Sequence, residues 1–120
     1  MRNSVTKHLF DLRHACELVI KYAGGMTYEQ YVSSEPTCLI VERLLITIGE
    51  AIVRLRDTRT EPVPALKANV RGIVGVRNNM VHNYDDIDQA AIYVIITKHV
   101  PELLREVKEL MAADETEARE

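Results

Sequence analysis

The residues best suited to chemistry lie in one short segment, Arg77–Tyr84, which reads RNNMVHNY. Histidine is the side chain that most readily takes up and returns a proton at cellular pH, so His82 is a candidate general acid or base. Arg77 carries a fixed positive charge on a planar fork of donors that matches the oxygens of a phosphate. Together they suit attack by an RNA 2′-hydroxyl on the neighbouring phosphate. His82 would assist proton transfer, and Arg77 would stabilise charge on the pentavalent transition state.

This chemistry restricts both the substrate and the cofactors. The attack needs a 2′-hydroxyl, so we expect no cleavage of DNA. The sequence has no cluster of carboxylates and histidines at the spacing of a metal site, so the reaction requires no metal and no other cofactor. The residue types alone also allow a simpler interpretation. His82 can be a surface or capping residue, and Arg77 can be an ion-pair partner or a side chain that covers apolar surface.

Helical geometry divides the segment between two faces. One face is predicted to be a polar stripe of Arg71, Gly75, Asn78 and His82. Arg77 and Tyr84 lie on the other face, and Arg77 is about 140° around the helix from His82. A single undistorted helix therefore cannot point both side chains at one phosphate. Either the end of the helix distorts, or a second copy of the same helix packs alongside it. We favour a homodimer in which two copies of this helix meet and the Arg and His of both chains line one cleft.

Basic residues are concentrated around this segment. Residues 43–84 carry seven basic and three acidic side chains, whereas the whole chain has a net charge of −3. A basic centre can attract an RNA backbone, and Arg71 is a candidate phosphate contact. A solvated helix face with scattered arginines explains the charge equally well. Glu50 and Arg43 could also face the dimer cleft, although a surface ion pair is the better interpretation of both.

The elements that must position the segment are helices, because apolar residues recur at helical spacing and no strand pattern is convincing. We predict a first helix over 4–23 that ends at Gly24-Gly25. Thr27 and Gln30 form a capping box for a short helix, and Ser34 caps a long helix with Pro36 in its first turn. The apolar face predicted for the long helix is Ile40, Leu44, Leu45, Ile48, Ala51, Ile52 and Leu55.

Two further helices complete the expected fold. A polar linker over 57–64 leads to a fourth helix from about Ala65 to Asn83, whose apolar residues are Leu66, Val70, Ile73, Val74, Met80 and Val81. The last helix begins after Asp88, is kinked near Pro101 and ends near Met111. The fold class is therefore all-α, an up-down bundle of four long helices plus a short helix.

The chain of 120 residues suits a single domain, which we place at 1–111, followed by an acidic, disordered tail at 112–120. No apolar run approaches the length that spans a bilayer, and Lys7, Asp11 and Arg13 interrupt the N-terminal apolar residues. These features predict a cytoplasmic protein without a membrane association. Cys16 and Cys38 are too few and too far apart for a ligand motif, so we expect two reduced, buried thiols.

The segment and its surroundings resemble the HEPN superfamily, and specifically its HepT-like toxins. Arg77 to Tyr84 matches the motif R-x4-H-x-Y, preceded by RGIVGV and followed by DDID. The stretches GGMTYEQY at 24–31, ERLLITIGEA at 42–51 and HVPELL at 99–104 also stand where that family has comparable segments. One departure is Ala65 after Pro64, where family members often have an aromatic residue. There we expect altered packing and not lost catalysis, and for Tyr93 a role in the core.

The resemblance implies a metal-independent endoribonuclease toxin that forms a dimer. It makes Arg77 and His82 catalytic and Asn78 a supporting site residue. It makes Tyr84 the target of a nucleotidyltransferase antitoxin of the MntA type, which attaches AMP from ATP. The alternatives are a non-catalytic HEPN subunit that helps a nucleotidyltransferase bind nucleotides, and a helical dimer with interaction roles alone. The intact Arg77, His82 and Tyr84 favour the toxin.

Overall fold

The computed structural model describes residues 2–58, 66, 70–82, 85 and 87–119, with side chains between positions 4 and 113 of these ranges. Its regular elements are helices: α1 (Arg2–Ala23), α2 (Tyr28–Val32), α3 (Glu35–Asp57), α4 (Val70–His82) and a last helix, α5. The last helix has three segments, Gln89–Val94, Ile95–His99 and Val100–Arg119. The predicted all-α bundle of four long helices and a short one is confirmed.

Local signals in the sequence set the first helix boundaries. Gly25 follows α1 with a φ of 84°, a left-handed conformation that suits glycine and reverses the chain. Thr27 and Gln30 form the predicted capping box, in which the Gln30 N–H donates to Thr27 Oγ1 at 3.1 Å and the Thr27 N–H donates to Gln30 Oε1 at 2.9 Å. The Ser34 hydroxyl accepts from the Thr37 N–H at the start of α3.

The last helix carries the predicted irregularity, one turn before Pro101. At Ile95–His99 the helix widens into a π turn, and the Val100 N–H donates to the carbonyl of Ile95, five residues back. A proline clashes with the carbonyl four residues before it and donates no hydrogen bond there. The wider turn accommodates Pro101 without ending the helix. The helix begins as predicted, with the Ala91 N–H donating to the Asp88 carboxylate at 3.2 Å.

The core lies where α1, α3 and α5 pack together, and α4 packs chiefly on α3. Its fully buried large side chains include Leu9, Leu12, Leu45, Ile48, Ile52, Leu55, Ile73 and Leu103. The apolar face predicted for α3 is buried from Leu45 to Leu55, whereas Ile40 and Leu44 are half-buried. Both cysteines are buried and free, as predicted. Tyr93 is half-buried, and its hydroxyl donates to the carbonyl of Met26 at 2.6 Å.

Three expectations about helix ends and faces need correction. Val81 is 49% exposed and not part of the core, because α4 buries the neighbouring Met80 instead. Leu66 is buried, but its backbone is not helical, so the fourth helix, described over Val70–His82, does not include it. The last helix continues to Arg119, past Met111. The added residues are mostly alanine, glutamate and arginine, which favour helix, and none is glycine or proline.

Some predicted features fall outside the described residues. These are Tyr84 and Asn83 of the motif, Ala65, and most of the linker over 57–64. Disorder of the tail and the domain boundary at 111 stay predictions. Within the described ranges, no helix is both long and apolar enough to cross a bilayer.

Candidate active site

Helix α4 presents the predicted polar stripe to solvent. Ile73 and Met80 anchor the opposite side of the helix in the core against α3. The four stripe residues, Arg71, Gly75, Asn78 and His82, are all exposed. An amphipathic helix with a deep apolar side and an open polar side can hold functional groups rigidly while leaving them accessible. The stripe is therefore available to a ligand or to a second chain.

Arg77 lies between this open face and α3, and two groups hold its guanidinium. Its Nη1 donates to Asn78 Oδ1 at 2.9 Å, and its Nη2 lies 3.6 Å from Glu50 Oε1 of α3. The Arg77 side chain is 27% exposed, and its Nε is buried with no hydrogen-bond partner among the described residues. The Arg77 guanidinium is thus held at its two outer nitrogens, and only this end of the side chain reaches the surface.

The close approach of α3 to α4 depends on Gly49. A Cβ placed on Gly49 would lie 2.8 Å from both Cβ and Cγ of Arg77, closer than side chains pack. Gly49 is buried, and a larger residue there would push the stem of Arg77 away. The pair Gly49-Glu50 therefore lets the helices meet and supplies the counter-ion. The sequence offered Glu50 either as a cleft residue or as a surface ion pair, and the structure pairs it with Arg77 of α4 and, at a longer distance, with Arg54 of its own helix.

A shallow groove of about 160 Å³ runs between α1 and α3 and reaches Glu50. Polar side chains on its walls include Asp11, His14, Thr47 and Arg54. Arg54 Nη2 lies 4.0 Å from Glu50 Oε2, so Glu50 has cations on both sides. The described residues contain no group of three His, Cys, Asp or Glu side chains that could hold a metal ion.

His82 is the last residue of α4 and is exposed. It lies about 7.5 Å along the helix axis from Arg77, since each residue adds about 1.5 Å. No hydrogen bond or ion pair joins the two residues within the described part of the chain. The structure thus brings Arg77 to Asn78 and Glu50, but it does not bring His82 to Arg77. Arg71 is exposed in the first turn of α4, away from both.

A partly buried polar network fixes the start of α5, just beyond the motif. Gln89 Nε2 donates to Glu42 of α3 at 2.7 Å, and the Tyr31 hydroxyl donates to Gln89 Oε1 at 2.7 Å. Burial is the main cause that raises the pKa of Tyr31, so its hydroxyl stays protonated and acts as the donor. The network ties α2, α3 and α5 together. It therefore holds the start of α5, which follows Tyr84 in the sequence. Sequence reasoning missed these residues, which carry no local signal.

Comparison with known proteins gives a consistent match. A family model described as Ribonuclease HepT-like matches residues 12–110, which include Glu50 and the whole motif. A protein of Methanocaldococcus jannaschii named "Putative RNase MJ0127" is 25% identical over 110 residues, covering 92% of this chain and 89% of that protein.

Two further relatives are similar over nearly their whole length. "Putative RNase TTE0752" of Caldanaerobacter subterraneus subsp. tengcongensis is 29% identical, and the match covers 87% of this chain and 91% of that protein. "Probable ribonuclease HepT" of Thermococcus cleftensis is 23% identical, and the match covers 86% of this chain and 92% of that protein. No solved structure matches this chain significantly.

Proposed function

Because this chain belongs to the Ribonuclease HepT-like family, we propose that it is an endoribonuclease toxin of a toxin–antitoxin pair. The observation that carries the proposal is the fixed Arg77 guanidinium beside an exposed polar helix face that ends in His82. An anchored cation and an accessible imidazole are the two groups that RNA transesterification needs. The family match covers both residues.

In the proposed reaction, His82 removes the proton of an RNA 2′-hydroxyl, whose oxygen then attacks the adjacent phosphorus. The bond to the 5′-oxygen breaks, that oxygen takes up a proton from water as it leaves, and His82 returns its own proton to water. Arg77 stabilises the extra negative charge that the phosphoryl oxygens carry in the transition state. The products are a 2′,3′-cyclic phosphate and a 5′-hydroxyl. The nucleophile belongs to the substrate, so the proposed reaction needs no metal-bound water to supply it.

The geometry of α4 supports a site shared by two chains. Arg77 and His82 are about 7.5 Å apart along the axis and about 140° around it, too far to meet at one phosphate. A two-fold homodimer that pairs the exposed stripes would place Arg77 of one chain near His82 of its partner. Gly75 lies on the stripe, where a glycine lets another backbone approach. Arg71 of the same face would contact RNA phosphates beyond the cleaved bond.

The test is cleavage of RNA by the purified chain in the presence of EDTA, with analysis of the product ends. We expect 2′,3′-cyclic phosphate ends, and no cleavage when the nucleotide before the cut carries 2′-deoxyribose. His82→Ala should lower the rate by about 10²–10⁴-fold and Arg77→Ala by about 10²–10³-fold. Arg105→Ala, at an exposed pair on α5, is the matched control. Equal cleavage by wild type and His82→Ala would contradict the catalytic assignment.

We further propose that the partner of this chain is a nucleotidyltransferase antitoxin of the MntA type, which attaches AMP to Tyr84. Tyr84 follows His82 by two residues, so an added nucleotide would bring bulk and negative charge beside the RNA-binding face. Repulsion of the RNA backbone and occlusion of the cleft would then block cleavage. Incubation with that transferase and ATP should add the mass of AMP to the peptide that contains Tyr84. Modification of another residue, or of none, would contradict this part.

The alternative is a non-catalytic HEPN subunit that partners a nucleotidyltransferase. One observation favours it, since the single chain engages Arg77 with Glu50 and Asn78 and leaves His82 apart. This alternative predicts stable binding to the transferase and no RNA cleavage by any oligomer of the chain. The same cleavage assay, joined to a pull-down with the transferase, separates the two functions.

A further inference from the structure

The structure points to Glu50 as the positioning residue that orients the Arg77 guanidinium for the RNA phosphate. This inference deepens the proposed ribonuclease function and rests on it. Glu50 lies on α3, one helix away from the motif, and its Oε1 is 3.6 Å from Arg77 Nη2. Glu50 does not touch the substrate in this role. It acts through Arg77, by fixing where the cation points.

This ion pair differs from the surface pairs of the molecule. Among the described residues, four other pairs, Lys7–Asp11, Arg13–Glu17, Arg54–Glu50 and Arg105–Glu109, join residues four apart on one helix. The Arg77–Glu50 pair joins two helices, and Arg77 is its less exposed partner at 27%, compared with 43% to 69% for the cations of those four pairs. Such a pair constrains the relative placement of α3 and α4 as well as the guanidinium.

The two anchors of Arg77 fix its plane. Asn78 accepts from Nη1 and Glu50 attracts Nη2, so the outer nitrogens are held from different elements. A planar fork held at two points is restricted in rotation, which favours one direction for its remaining outward N–H groups. The Glu50 carboxylate also repels a phosphate from its own side. The phosphate must therefore approach from the solvent side, toward the exposed stripe.

Gly49 supports the same arrangement from the backbone. Without a Cβ at this position, the stem of Arg77 can lie directly against α3, which brings the guanidinium within reach of Glu50. The burial of Nε without a described partner shows how tightly the stem is enclosed. A guanidinium enclosed at its stem and anchored at its end loses little freedom when it meets a charged transition state.

Steady-state kinetics of RNA cleavage test the inference, with the full chain and with Glu50→Ala, Glu50→Gln and Glu109→Ala. We expect Glu50→Ala to lower kcat about 10–100-fold and to change KM little, since a displaced catalytic group slows the chemical step more than binding. Glu50→Gln keeps an acceptor at the same place and should retain most of the activity. Glu109→Ala, which removes an exposed pair on α5, should behave as wild type.

A second measurement does not depend on activity. In ¹⁵N-labelled protein, the buried Arg77 Nε–H should give a sharp, slowly exchanging resonance, assigned by its loss in Arg77→Lys. Glu50→Gln should keep this resonance, and Glu50→Ala should broaden it or speed its exchange. Circular dichroism of each variant shows whether it folds. If Glu50→Ala does not fold, the resonance and the kinetics of Glu50→Gln and Glu50→Asp are compared with those of the wild type instead.

The outcomes separate this inference from the proposed function. If the wild-type chain cuts no RNA, the ribonuclease proposal fails, and the Arg77 resonance alone decides whether Glu50 fixes the guanidinium. If the wild type cuts RNA and Glu50→Ala retains its kcat, Glu50 is not a positioning residue although the ribonuclease proposal stands. A loss confined to KM, or an unchanged Arg77 resonance in Glu50→Ala, also overturns the inference.

Discussion

At the scale of single residues, the side chains near the motif are more constrained than their types suggest. Arginine usually keeps its charge in water and gains little from an exposed ion pair. Here Arg77 has a buried Nε and is held by Glu50 and Asn78, so its freedom is restricted before any ligand arrives. His82 is the opposite case, exposed and without a described partner that would orient it. Among the described residues, the chain therefore holds one of its two proposed catalytic groups in place and leaves the other without an orienting partner.

The thiol of Cys16 should be inert in the folded protein. Burial, with a smaller effect of the Glu17 carboxylate, raises the pKa of Cys16 from 9.0 to about 12. Because only a thiolate reacts with iodoacetamide, we expect no alkylation of Cys16 at about pH 8 in the native chain and full alkylation in denaturant. Peptide mass spectrometry gives the measurement. Modification of Cys16 at equal rates in both states would contradict its burial.

The raised pKa of Cys16 also makes stability depend on pH at the alkaline end. The unfolded thiol loses its proton near pH 9.0, before the folded one does near pH 12. The folded form then holds more protons, so the contribution of Cys16 is complete below pH 9.0 and declines as pH rises toward 12. Denaturant titrations over this range should show a shallower decline for Cys16→Ala than for wild type. Parallel curves would mean that Cys16 does not contribute.

At the scale of elements, one glycine determines how closely α4 packs on α3, and another leaves space on the exposed side of α4. Gly49 is buried against the stem of Arg77, whereas Gly75 is exposed in the middle of α4. A Cβ on Gly75 would meet no atom of the described structure within 4 Å. The two positions share a residue type and a helical backbone, and they differ only in what lies next to them. This makes them a matched pair for substitution.

We expect Gly49→Ala to lower the free energy of unfolding by about 1–3 kcal/mol, because the added methyl overlaps Arg77 and forces the helices apart. Gly75→Ala should raise it by up to about 1 kcal/mol, since alanine is a better helix former and finds open space. Urea titrations at one protein concentration, low enough to keep the chain monomeric, measure both changes. The packing of α3 on α4 would be contradicted if Gly49→Ala proved as stable as Gly75→Ala.

At the scale of the whole molecule, the proposed site is complete only in a dimer. Arg77→Ala and His82→Ala should each be inactive alone. Mixing and refolding them should restore part of the activity, because a mixed dimer contains one intact Arg77 and one intact His82 at the cleft. Light scattering should find a dimer for each variant. Two inactive variants that stay inactive as a verified mixed dimer would contradict the shared site.

The dimer prediction also gives Gly75→Ala a second effect. If the partner's helix packs on the exposed stripe, the added methyl at Gly75 should weaken dimerisation although it stabilises the single chain. Sedimentation at decreasing concentration measures the dissociation constant. An unchanged dissociation constant would place the interface on a face of the chain that does not include Gly75.

Much of this molecule follows from local sequence. Helix periodicity, the Thr27–Gln30 capping box, the Ser34 and Asp88 caps and Gly25 set most helix boundaries, because each acts within a turn of its own position. Pro101 predicted an irregular last helix for the same reason. The motif from Arg77 onward predicted the family, since its residue types and spacing are themselves the signal. The prediction that Val81 belongs to the apolar face was wrong, because burial near the end of α4 depends on which side of the helix packs against the core.

Tertiary structure alone decided the surroundings of the candidate site. Nothing local to Glu50 indicates that its partner is Arg77, twenty-seven positions away in the sequence, because only the packing of α3 on α4 brings them together. The same holds for Gly49, whose need for a missing side chain is visible only against the stem of Arg77. Sequence therefore determined which groups could do the chemistry. Packing decided which of them is held in place, because contacts between distant elements depend on the whole fold.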